Sequence, residues 1–164
     1  MLAVARQPAY HRRVKATTHL RASLVLTGLF LATGLLLEAA LGGRLAIYVD
    51  DPIRREFLRL GHAHGGLLSI ANLALAYGLD RLQTPEGWAR PARWAAWLGA
   101  LAVGIGFMSA GIWHAPTDPG PTVLLVPAGA LSLLMALAVA ALVRPGDRAP
   151  GEDVADASTA AQGD

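Results

Sequence analysis

The chain has 164 residues, the size of one domain. Hydrophobic residues make up 54% and charged residues 16%, against roughly 25% charge in a soluble domain. There is no cysteine, which excludes disulfides, thiolate metal sites and thiol catalysis. The formal charge of +2 combines a basic head with an acidic tail, and the charges stand in short blocks between long uncharged ones, the layout of membrane spans and their loops.

Residues 1–19 read as a basic cytoplasmic arm: Arg6, Arg12, Arg13 and Lys15, with Arg21 just beyond, precede the first acidic residue, Glu38. An Arg-rich, acid-poor head is also the mark of a mitochondrial transit peptide, but this one is short of serine and runs directly into a span. The first span is expected at about 20–41. It is too long for a signal-peptide core and lacks a clear A-x-A site, so it reads as a retained anchor. Glu38 falls near its outer end.

Asp50-Asp51-Pro52 is a helix start, with Asp51 as cap and Pro52 at the first helical position. Ile53, Phe57 and Leu60 follow at i, i+4 and i+7, with Arg54, Arg55, Glu56 and Arg59 between them. The spacing predicts a short amphipathic outer helix on the membrane surface, placed to run into the next span. The second span is expected at about 61–79 and carries His62, His64, Ser69 and Asn72. An amide at the depth of Asn72 is costly unless it bonds to a neighbouring helix.

A polar loop over 80–93 leads to a third span at about 94–113, bounded by Trp94 and Trp97 at one end and Trp113 at the other. Ala102, Gly106 and Ala110 make a small-residue stripe for close helix approach, which continued by four residues reaches His114. His114 to Pro121 is a proline-rich turn, and the fourth span is expected at about 122–143. Residues 144–164 are Ala, Gly, Asp and Glu with almost no bulky apolar residue, an acidic tail expected to be disordered. The expected fold is thus all-α, a polytopic membrane protein built as a four-transmembrane-helix up-and-down bundle.

Four spans place both termini on one side. That side carries ten Lys and Arg, against four (Arg44, Arg54, Arg55, Arg59) on the other. The positive-inside rule then puts both termini in the cytoplasm, in a setting such as the bacterial inner membrane. Glu38, His62, His64, His114 and Asp118 all fall at the outer face, with His11 and His19 at the opposite one.

Imidazole suits zinc, copper, iron and nickel, so His62 or His64 with His114 could supply ligands from adjacent helices, with Glu38 or Asp118 completing or supporting the set. Haem is the variant in which one or two histidines are axial ligands and Arg54, Arg55 or Arg59 meets the propionates. His62 and His64 are about 200° apart on an ideal helix and point to opposite sides unless the glycines around them break it. The bland alternative is interfacial histidines bonded to water, headgroups or loop carbonyls. The block Gly61-His62-Ala63-His64-Gly65-Gly66-Leu67-Leu68 resembles histidine-bearing helices of the haem–copper oxidase superfamily and related multi-span haem and copper proteins. The resemblance covers one span and implies an axial or metal-ligand role for His62 or His64. It lacks the adjacent His-His pair, the tyrosine and the many spans of those subunits, and implies no oxidase activity.

A competing class is a non-catalytic accessory subunit of a larger membrane complex, or a homo-oligomer, using its small-residue stripes and outer helix as contact faces. A transporter is disfavoured because no charge lies deep in a span. Hydrolase motifs are missing, and topology accounts for the basic residues without nucleic acid.

Overall fold

The computed structural model describes the backbone over residues 7–148 and side chains from residue 17 onward. Within these limits the chain is helical, with no strand: α1 (Gln7–Gly42), α2 (Ala46–Val49), α3 (Pro52–Arg81), α4 (Glu86–Ile112), a 3₁₀ turn (Pro121–Leu124) and α5 (Leu125–Leu142). The expected disorder of the tail falls largely on residues 149–164, outside the described residues.

Among the described residues three segments are long and apolar enough to cross a membrane: Thr17–Gly42, Glu86–Ile112 and Pro121–Leu142. The expected second span lies inside α3, which is not one of them. The reason is its composition: its first turns carry Arg54, Arg55, Glu56 and Arg59, and its middle carries two histidines, a serine and an asparagine. The expected amphipathic helix and the expected second span form one continuous helix. It starts as expected, with Asp51 accepting from the Arg54 N–H at 2.9 Å and Pro52 in the first turn. The third span begins earlier than its tryptophans suggest, because α4 starts at Glu86 and runs through Pro91. Proline removes the N–H that would bond the Gly87 carbonyl. Both residues are exposed, so that carbonyl stays accessible to water or headgroups.

Successive long helices are antiparallel and packed in the order α1, α3, α4, α5. The pairings are Gly34 with His62 and Phe30 with Gly65 between α1 and α3, Asn72 with Ala96 between α3 and α4, and Gly99 with Gly129 between α4 and α5. The two outer helices, α1 and α5, have no Cα atoms within 8 Å of each other among the described residues. The bundle is therefore a row with α3 and α4 at its centre. Leu24, Leu31, Leu35 and Leu36 of α1, and Leu131, Leu134 and Met135 of α5, are exposed along the outside. Apolar side chains in this position suit acyl chains as solvent.

Small residues set the spacing inside the row. Ala89, Ala96, Ala100 and Ala110 of α4 are fully buried. The Phe30 ring of α1 fills a notch where α3 and α4 meet, and a Cβ on Gly65 or Gly104 would lie 2.3 Å from that ring. The Ala102–Gly106 stretch of the small-residue stripe faces α5: a Cβ on Gly129 would be 3.0 Å from Ala102, and one on Gly106 3.1 Å from Leu125. Within lipid, where helices gain little from hydrophobic exclusion, such close backbone approach is a main source of association. Asn72 is buried and, as expected, faces a neighbouring helix, donating from Nδ2 to the Ala96 carbonyl at 3.1 Å while its Oδ1 has no partner among the described residues.

Gly104→Ala is expected to destabilise the fold by about 1–3 kcal/mol through overpacking against Phe30. Gly28→Ala, with nothing within 4 Å of the added carbon, is expected to be neutral or slightly stabilising. Thermal unfolding of the two variants in the same detergent compares them directly.

Candidate functional site

His62 lies one turn beyond Leu58 on α3, on the side that meets α1. Its Nδ1 faces the Phe30 carbonyl of α1 at 2.7 Å. A carbonyl only accepts, so Nδ1 carries the hydrogen and a neutral ring leaves Nε2 with its lone pair. The ring lies against Gly34, where a Cβ would come within 2.2 Å of it. Any residue larger than glycine at position 34 would push the imidazole away from α1.

His64 points elsewhere, as two residues of separation on a regular helix require. It is exposed, its Nδ1 faces the Leu60 carbonyl of its own helix at 3.0 Å, and its ring packs against Phe107 of α4 with centroids 5.2 Å apart. The glycines around the pair do not bend α3 enough to bring the two rings together.

His114, in the turn after α4, meets the cap of α3. Its Nε2 lies 2.8 Å from Asp51 Oδ2 and its Nδ1 2.7 Å from the Ala115 carbonyl. Both partners are acceptors, so the arrangement is best satisfied by a doubly protonated, cationic ring. The Ala115 carbonyl and then the Asp51 carboxylate raise the His114 pKa above its usual 6.5. The Arg54 backbone N–H, with further help from His114, holds Asp51 below the usual carboxylate range, against a smaller opposing effect of burial. Arg54 also places a guanidinium nitrogen 3.7 Å from Asp51 Oδ2, and its charge works against protonation of His114.

Of the two carboxylates considered as ligands, Asp118 is exposed and accepts from the Thr117 hydroxyl at 2.8 Å. Glu38 is exposed near the C-terminal end of α1. The three imidazoles thus occupy three settings: against α1, against Phe107 and against Asp51. Among the described residues no group of three or more His, Cys, Asp or Glu side chains is placed to hold a metal ion.

His62 and Glu38 do share a groove. A cavity of about 810 Å³ opens between α1 and α3, with Leu31, Leu35 and Leu60 as apolar wall and Glu38, Arg55, Glu56, Arg59 and His62 as its polar groups. Arg55 is fixed by a bond from Nη1 to the Val49 carbonyl at 2.7 Å, and Arg54 by one to the Ile47 carbonyl at 3.0 Å. The short α2 segment therefore positions Arg54 and Arg55. Sequence reading missed Asp51 as the partner of His114 and the Phe30 carbonyl as the partner of His62. Backbone acceptors leave no mark in a sequence, and Asp51 stands 63 residues from His114.

No family model, curated protein or solved structure gives a significant match to this chain.

The Asp51–His114 pair makes stability pH-dependent. The raised His114 pKa contributes stability that is complete below the ordinary histidine value and is lost as pH rises through the raised one. The depressed Asp51 pKa contributes stability that is present above the ordinary carboxylate value and is lost as pH falls through the depressed one. Melting temperature is expected to peak in the weakly acidic range between the two. His114→Gln should remove the alkaline fall of that profile while leaving His62-dependent properties intact.

Proposed function

We propose that the protein is a small four-span integral membrane protein with both termini cytoplasmic, in which α3 completes the span set, and that its α1–α3 groove binds haem through His62. The observation that carries this reading is the His62 ring. It lines the groove, and its Nδ1 is committed to the Phe30 carbonyl. That leaves Nε2 as the coordinating atom, the outer-partner arrangement usual for metal-ligating histidine.

A choice between haem and a bare ion follows from the count of ligands. A zinc or copper ion needs several protein donors, and His64 and His114 are engaged elsewhere. A haem iron needs as few as one protein ligand, its macrocycle supplying the other four. Gly34 allows the imidazole to lie flat on α1, the leucines offer an apolar wall, and Arg55 and Arg59 offer cations for propionates. Haem bound there would supply one-electron redox chemistry. The chain's own contribution is to orient His62, to exclude water with the leucines and to neutralise the carboxylates with the arginines.

A second reading, a non-catalytic accessory subunit, draws on the exposed apolar lengths of α1 and α5. Those two edges are available to a larger complex as readily as to lipid.

Visible absorption of the protein purified from haem-replete cells separates the readings. A Soret band is expected that is lost in His62→Ala and kept in His64→Ala and His114→Gln. Gly34→Leu, which displaces the His62 ring, should lose it as well. A colourless wild-type protein that copurifies with a larger assembly would favour the accessory role.

A further inference from the structure

The opposite end of the molecule holds a second concentration of polar groups. α1 and α4 are both packed on α3 and approach each other only slightly, which leaves a cleft between them near the inner ends of the helices. It has a volume of about 440 Å³ and is lined by Thr18, His19 and Ala22 of α1 and by Glu86, Arg90, Arg93, Trp94 and Trp97 of α4. Its wall is mostly apolar, formed by the two indoles, which stand edge to face with centroids 6.2 Å apart.

Arg93 is 6% exposed and His19 8% exposed. Three lining residues have a buried side-chain nitrogen without a hydrogen-bond partner: His19 Nε2, Arg93 Nε and Trp97 Nε1. Buried polar nitrogens without partners are rare enough to need an explanation. Arg93 is neutralised within the fold, its Nη1 lying 3.1 Å from each oxygen of Glu86. Arg90, one turn away at the rim, is exposed and makes no ion pair among the described residues, so it offers a positive charge to the cleft.

We propose that this cleft is a binding site for an anionic phospholipid of the inner leaflet. The phosphate is held at the rim by Arg90, near the Arg93–Glu86 pair, and the acyl chain lies along Trp94, Trp97 and Ala22. The charge is complementary to an acidic headgroup, and basic pockets between helices on the cytoplasmic side are suited to such heads. Tryptophans at this depth match the boundary between headgroup and chain. The leaflet assignment rests on the orientation proposed above. The cleft is independent of His62 and of any haem.

Native mass spectrometry of the full-length chain in mild detergent, with added phosphatidylglycerol or phosphatidylcholine, tests the assignment. Phosphatidylglycerol should be retained preferentially. Arg90→Gln should lower that retention about fivefold, the share of one basic residue. Arg81→Gln, which removes an exposed arginine outside the cleft, should not change it. Trp94→Leu should weaken both lipids. Equal retention of the two lipids, or equal losses in the Arg90 and Arg81 variants, would overturn the proposal. Displacement by millimolar inorganic phosphate alone would also overturn it, since a free anion and not a lipid would then be the ligand. None of these outcomes depends on a Soret band, so the lipid site and the haem site stand or fall separately.

Discussion

The Phe30 ring is the contact on which the row of helices depends. It comes from α1 and seats where α3 meets α4, against Gly65 and Gly104. An aromatic ring in a glycine notch joins three helices at one point without leaving space between them. The backbone of that same residue then does a second job. Its carbonyl faces the His62 ring, so the position that locks the helices together also sets the direction of the imidazole. Packing and site geometry are coupled through one residue on α1, and neither can shift without the other.

His62, His64 and His114 are held in three different ways. His62 is held by a neighbouring helix, His64 by its own helix and an aromatic side chain, and His114 by the cap of α3. Each satisfies its Nδ1 on a carbonyl, but only His62 faces a groove with both apolar and charged walls. The Asp51 carboxylate caps α3 with one oxygen and meets His114 with the other. It thereby ties the start of one helix to the turn after another.

Features governed by local rules were legible from the residues. Asp51-Pro52 marks a helix start whatever surrounds it. Asn72 is too costly to leave in lipid and so had to turn inward. The opposite directions of His62 and His64 follow from helix geometry alone. The early start of α4 was hidden because Pro91 reads as a loop residue, and its missing hydrogen bond is tolerated only because Gly87 is exposed. The composition of α3 blurs the distinction between a span and a surface helix, since charged first turns, polar residues in the middle and apolar leucines and alanines share thirty continuous residues. The pairing of His114 with Asp51, the cleft beside His19 and the groove beside Glu38 depend on how helices stack. Nothing in the spacing of those residues encodes it.

The contact between α4 and α5 carries a consequence for how the chain can vary. A Cβ on Gly99 would lie 2.7 Å from the Gly129 carbonyl oxygen, and a Cβ on Gly129 would lie 2.7 Å from the Gly99 carbonyl oxygen. Each residue is therefore blocked by the other's main chain, which cannot rotate aside as a side chain can. Neither position can be relieved by a compensating substitution at its partner, because there is no side chain there to shrink. Any lineage that lost one of these glycines would have to move α5 bodily outward, so drift at this seam should proceed by jumps in helix separation rather than by gradual exchange of residues.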